Sequence, residues 1–299
     1  MTNELSQYLQ EKRQLVDNQL RTVLSSQEGC PAALTEAMRY SVLAPGKRLR
    51  PLLVIMAAEA CGDREGAALP AAASVELVHA YSLIHDDLPA MDDDDMRRGQ
   101  PTCHKQFGEA LAILAGDALL TLAFEVLGGA YPPRTAAGCC LELARGAGAR
   151  GMVGGQVEDL AWEKRGGALP DLENIHSRKT GALFRACLRM GVFVAQAERP
   201  AGPDPALLES LDTFGHCFGQ AFQITDDLLD VEGTAEEAGK RVHKDGARGK
   251  LTYPGFLGAT ESRHRAELLC RQACQELLPL GRSGDRLAAL VPCILERNR

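Results

Sequence analysis

No segment of the 299 residues alternates apolar and polar side chains with a period of two. A half-buried strand needs that alternation, so the chain has little from which to build a sheet. Helical spacing runs through it instead. Val16, Leu20, Val23 and Leu24 fall at i, i+4, i+7 and i+8, one buried helical stripe. Residues 52–60 (after Pro51), 71–85, 110–127, 136–150, 172–189, 206–231 and 263–278 read as further helices, separated by clusters of Gly and Pro. Aromatics make up only 5% of the chain, and the 45% hydrophobic fraction is mostly Ala and Leu, which favour helices over strands. The pattern predicts an all-α fold, with residues 1–299 as one domain around one large core. The Gly-rich, charged stretch 232–250 is the least regular and is expected to be a mobile loop or lid.

The charge balance narrows the partners. There are 40 Asp and Glu against 33 Lys and Arg, a net charge of −7. Nucleic acid is excluded as a partner, because phosphate backbones require a basic face. The N-terminal stretch is polar and helical and lacks the apolar core of a secretion signal. No run of 18 or more apolar residues occurs, so no membrane span is expected. Ten cysteines include no Cys-x-x-Cys pair, which predicts reduced thiols in a cytoplasmic protein and argues against zinc.

Two acidic clusters each sit at the end of an apolar helix. The first is Asp86-Asp87, then Asp92 to Asp95; the second is Asp226-Asp227 and Asp230. Adjacent carboxylates repel, and when partly buried they call for cations. All-oxygen donors select a hard ion, Mg²⁺ before Zn²⁺. Asp226 and Asp230 are four apart and share a helical face. Asp86 and Asp92 lie about 240° apart on an ideal helix, so they converge only if the chain leaves the helix between them, and Pro89 supplies the reason. A calcium loop counted from Asp92 fails, with Arg97 and Cys103 where Gly and Glu belong. Removing the nine acids of these clusters from 40, and Arg97 and Arg98 from 33, leaves 31 of each sign. The net acidity is thus concentrated at the clusters.

Cations stand nearby. Lys47, Arg48 and Arg50 gather at a helix start, a natural phosphate site. Arg97 and Arg98 follow the first acids, while Lys179-Thr180, Lys240 and Lys250 flank the second. His79 is two turns before Asp86 on the same face, and a ligand role is expected for it. Carboxylates for Mg²⁺ together with several cations suit a diphosphate substrate. Gly146, Gly148 and Gly151 match a dinucleotide-loop spacing, but they follow a helix and not a strand, so they read as helix packing or a bend.

The motifs GKRLRP (46–51), VHAYSLIHDDLPAMDDDDMRRG (78–99), LAGDALL (114–120), GGQVEDL (154–160), KTGALF (179–184), GQAFQITDDLLD (219–230) and GKLTYP (ending at Pro254) resemble, in this order, the trans-isoprenyl diphosphate synthases, and among them the bacterial enzymes with a fifteen-carbon product. The resemblance implies about ten core helices around a central cavity, and a homodimer. It implies that Asp86, Asp87 and Asp92, with Asp226 and further Asp227 and Asp230, hold three Mg²⁺. Arg97, Lys179 and Lys240 would contact the allylic diphosphate, while Gly46, Lys47, Arg50, His79 and Arg98 would hold isopentenyl diphosphate. Thr180 and Gln223 would sit near the allylic cation. Lys250 is a further candidate phosphate contact, and which of Lys240, Lys244 and Lys250 in the basic loop reaches phosphate stays open. Tyr81, with Ser82, would floor the tail cavity. The implied reaction condenses dimethylallyl and then geranyl diphosphate with isopentenyl diphosphate to (2E,6E)-farnesyl diphosphate. Alternatives are a ten- or twenty-carbon product, a terpene cyclase (whose second acidic motif differs), or a non-catalytic diphosphate-binding regulatory subunit.

Overall fold

The structure is a computed structural model, and it describes residues 2–63, 66–232 and 251–296. Among these residues the helices are α1 (Asn3–Ser25), α2 (Ala32–Val42), α3 (Leu49–Ala60), α4 (Leu69–Asp86), α5 (Cys103–Phe107), α6 (Glu109–Ala130), α7 (Pro133–Ala147), α8 (Met152–Arg165), α9 (Leu169–His176), α10 (Ala182–Ala195), α11 (Pro205–Glu232), α12 (Tyr253–Glu276), α13 (Asp285–Leu290) and α14 (Pro292–Leu295). A π-helical turn, Ser177–Gly181, joins α9 to α10. The expected all-α class holds. Among the described residues the one exception is a hairpin of two-residue strands, β1 (Met96–Arg97) against β2 (Gln100–Pro101), too short to leave a period-two signal.

Helix ends follow local chemistry. The Thr2 hydroxyl accepts from the Leu5 amide and starts α1, and Thr252 accepts from Gly255 to start α12. The helix read over 172–189 is broken by the π turn, and the one read over 136–150 stops at Ala147, where Gly148 is extended. Gly146 serves packing, as expected: a Cβ there would lie 2.7 Å from the Ala186 Cβ, so α7 and α10 touch closely. Helices α2, α5, α8, α13 and α14 lie outside the ranges that the sequence reads as helical.

The core forms around α4 and α10. Helix α4 packs against α3 and α6, α10 lies among α3, α7 and α11, and α11 packs along α12. Between α10 and α11, Phe184, Phe214, Phe218 and Phe222 form an aromatic stack, with Phe184 edge-on to Phe218 (5.6 Å) and to Phe222 (5.4 Å). Arg189 clamps Glu142 with two hydrogen bonds (2.6 and 3.1 Å), tying α10 to α7. All ten cysteines are free thiols.

The expectation about membrane segments needs one amendment. Among the described residues, α6 is long and apolar enough to cross a membrane by length and composition. Its inner face (Ala112, Ala115, Leu119, Leu122 and Leu127) is buried, whereas Ile113 and Leu114 are exposed. Phe218 is fully buried at the centre of the aromatic stack. Phe218→Ala is expected to cost about 3–5 kcal/mol, measured as a lowered midpoint in urea unfolding.

Candidate active site

Helix α4 ends at Asp86 because the next residues, Asp87-Leu88-Pro89, cannot continue it. The chain then folds back on the helix end. The Asp92 amide donates to the Asp86 carbonyl (2.8 Å), Asp93 to Leu88 (3.1 Å) and Asp94 to Asp87 (3.2 Å). This turn brings Asp92 beside Asp86. Burial pushes the Asp86 carboxyl up to about 6; the Lys179 charge pulls it back, and Asp92 and Asp87 push it further up. Asp87 is buried and already paired: Arg97 Nε reaches both its oxygens (2.7 and 2.9 Å) and Nη2 lies 2.6 Å away. Arg97 sits on β1, and Arg98 and Gly99 form the hairpin turn, both with positive φ (53° and 79°). Tyr40 on α2 fixes the hairpin by donating to the Pro101 carbonyl (2.8 Å).

The second cluster lies on α11. Asp226 is half-buried, and Asp230, one turn on, is buried. Asp227 faces inward, where one oxygen accepts from the Tyr253 amide (2.9 Å) and the other lies 3.9 Å from His176 Nε2. Burial holds His176 down to about 4, so it is neutral near pH 7. Asp227 therefore anchors the start of α12. Gln223 is half-buried three residues before Asp226.

Lys179 and Thr180 occupy the π turn, a feature frequent at functional sites. Lys179 Nζ donates to Asp159 Oδ2 (2.6 Å) on α8. The sequence reading gave Asp159 no role. Its signal lay in GGQVEDL: a Cβ on Gly155 would come within 2.3 Å of the Lys179 amide, so only glycine lets α8 press against the π turn. The Lys179 charge reaches Asp86, and the Asp226 charge reaches Arg50. Lys179 thus links the end of α4 to Asp159 of α8, and the charges of Asp159, Lys179 and Asp226 all reach His176, beside the acidic part of α11.

A cation-rich patch adjoins it on α3 and α4. Arg50 Nη1 donates to His79 Nε2 (3.2 Å), and its guanidinium stacks 5.0 Å over the Phe184 ring. Burial, and then Arg50, Arg98, Arg97 and Arg48, hold His79 well below its ordinary value. It is therefore a neutral imidazole accepting from Arg50. Ser82 is half-buried and donates to the His79 carbonyl (2.9 Å). Gly46 and Lys47 are exposed, and Arg98 lies against Gly46. Arg48 is the departure. Grouped with the phosphate cations by sequence, it is buried and bonded to Asp17 (2.9 Å), Glu76 (2.7 Å) and the Ala44 carbonyl (3.0 Å). Tyr81 is buried one turn before the end of α4, edge-on to His85 (5.7 Å), which in turn bonds the Ile113 carbonyl of α6 (3.1 Å). Lys240, Lys244 and Lys250, and the lid expected over 232–250, lie outside the described residues apart from Glu232.

Comparison with known proteins fits this geometry. The model of the family described as polyprenyl synthetase matches residues 31–276. The chain belongs to the polyprenyl synthetase family. It is 42% identical to the farnesyl diphosphate synthase of Bacillus subtilis over the whole of both chains. It is 44% identical to the chloroplastic geranylgeranyl pyrophosphate synthase 11 of Arabidopsis thaliana, over 96% of this chain and 80% of that one. The crystal structure of an FPP/GFPP synthase from Zymomonas mobilis superimposes with a TM-score of 0.87 at 36% identity, covering 99% of this chain and all of that one. This polyprenyl synthetase is a prenyltransferase, and its fold is that of the isoprenoid synthases.

The fit to a metal rests on the donors. Among the described residues no three Asp, Glu, His or Cys side chains already converge on one point. The donors are all carboxylates, and Asp86, pushed up to about 6 by burial and crowded by Asp92 and Asp87, is a group whose ionised form a divalent cation would favour. They fit Mg²⁺. In the metal-free protein the raised Asp86 value contributes stability that is complete below about pH 4 and lost as pH rises through about 6. Mg²⁺ with inorganic diphosphate should therefore raise Tm more near pH 7.5 than near pH 5. Equal shifts at both would contradict the assignment.

Proposed function

We propose that this prenyltransferase joins dimethylallyl and then geranyl diphosphate to isopentenyl diphosphate, head to tail, giving (2E,6E)-farnesyl diphosphate. The observation that carries the reading is the pairing of two unlike anion subsites. One is rich in carboxylates (Asp86, Asp92, Asp226) and the other is built from cations alone (Arg50, Arg98, with Lys47). A diphosphate that leaves needs metal; one that only has to be held needs cations.

In this mechanism Asp86, Asp92, Asp226 and Asp230, supported by Asp87 and Asp227, would hold the Mg²⁺ ions, three on this reading. When bound, Mg²⁺ supplies charge neutralisation to the allylic diphosphate as it departs. Lys179, steered by Asp159, and Arg97, steered by Asp87, add fixed positive charge at the same oxygens. Thr180 and Gln223 turn their oxygens toward the allylic cation. Arg50, Lys47 and Arg98 hold isopentenyl diphosphate, and neutral His79 orients Arg50. The double bond then attacks the cation, and the departed diphosphate accepts the proton that is lost. The buried lining keeps water from the cation.

Tyr81 supports the fifteen-carbon product. It is buried on α4 and braced through His85 against the α6 backbone, so it blocks a tail growing along α4. The plant geranylgeranyl synthases favour a twenty-carbon product, since they are as similar to this chain as the farnesyl synthases. The exposed Ile113 and Leu114 on α6 support a homodimer through that face. The free thiols support a cytoplasmic setting.

Purified protein given Mg²⁺, dimethylallyl diphosphate and isopentenyl diphosphate should yield a C15 diphosphate. No product at all would favour a non-catalytic subunit. Asp226→Ala should lower kcat by about 100-fold or more. Tyr81→Ala should shift the product to C20 or longer, and an unchanged C15 product would refute its role as the floor.

A further inference from the structure

We propose that Arg48 is a positioning residue for the isopentenyl diphosphate subsite, acting through its buried pairing with Glu76. This rests on the reading of Lys47, Arg50 and Arg98 as the cations of that subsite. Arg48 itself has no guanidinium nitrogen left to offer. Nε donates to Asp17 on α1 (2.9 Å), Nη1 to Glu76 on α4 (2.7 Å) and Nη2 to the Ala44 carbonyl after α2 (3.0 Å). Arg48 is 4% exposed and Glu76 2%, so no phosphate reaches either.

The position of the pair gives it a consequence beyond bracing. Glu76 is one turn before His79 on the same face of α4. Arg50, two residues after Arg48, bonds His79. The first turn of α3 is thus joined to one turn of α4 by two adjacent rungs, Arg48–Glu76 and Arg50–His79. Arg48 also holds a left-handed backbone (φ 51°) at the N-cap of α3. For a residue with a side chain that conformation is strained and persists only where surrounding contacts enforce it. Through it the chain leaves Lys47 exposed, buries Arg48 and directs Arg50 onto His79. The same loop sets Arg98, because a Cβ on Gly46 would lie 3.0 Å from Arg98 Nη1. A buried ion pair is weak evidence for stability, since an apolar pair can serve as well. Here it fixes the placement of three subsite cations.

The test compares Arg48→Lys and Glu76→Gln with wild type in the full-length protein. Isopentenyl diphosphate binding is titrated calorimetrically without Mg²⁺, and both KM values and Tm are measured. Both variants should weaken isopentenyl diphosphate binding and raise its KM by about tenfold, as displaced positioning groups do. The allylic KM should change less than about twofold. A lower Tm with both KM values unchanged would make the pair a brace only, and an equal rise in both KM values would make its effect general; either overturns the proposal. Arg50→Ala separates the layers. If it leaves binding intact, the subsite reading fails and takes this assignment with it. If it weakens binding while Arg48→Lys and Glu76→Gln do not, the assignment alone fails. Should Arg48→Lys not fold, Asp17→Asn, with its partly exposed carboxylate, loosens the same guanidinium and should give a smaller rise confined to the isopentenyl diphosphate KM.

Discussion

Like-charged carboxylates packed at the end of a buried helix are the constraint around which this protein is arranged. Asp86 closes α4, whose body is apolar and buried between α3 and α6. Its ionised form is penalised by burial and by Asp92 and Asp87, and relieved by Lys179. Desolvation wins in the metal-free protein, where burial pushes this carboxyl up to about 6, above the ordinary Asp range. The helix thus presents a site poorly satisfied by its own side chains, an imbalance that a divalent cation would reverse.

Three of the cations near that site are themselves held by carboxylates. Arg97 is fixed by Asp87, Lys179 by Asp159, and Arg48 by Glu76 and Asp17. Long basic side chains lose much rotamer freedom when ordered, and a partner already bonded removes that cost before substrate arrives. Consecutive basic residues consequently do different work. Arg48 is spent inside the protein while Arg50 stacks on Phe184 and bonds His79.

The apolar parts divide in a similar way. The aromatic stack of α10 and α11 carries Arg50 on one edge and the core on the other. Tyr81, His85 and Ile113 form a short chain from the acidic end of α4 to the α6 backbone. The acidic cluster and the buried Tyr81 are therefore placed about one turn apart on the same helix.

The sequence by itself determined the helical class, both acidic clusters and most of the cations, because periodicity and local charge density survive in one dimension. The break after Asp86 was legible too, since Pro89 acts on its immediate neighbours. Tertiary structure alone decided what each charge does. Asp159 meets Lys179 across 20 residues, Arg48 meets Glu76 across 28, and Asp227 meets the Tyr253 amide across 26. Nothing local names the partner that each of those carboxylates meets. The hairpin and the π turn escaped for a related reason: each is only a few residues long, too short to carry a period, and they are held by packing against distant elements such as Tyr40 and α8.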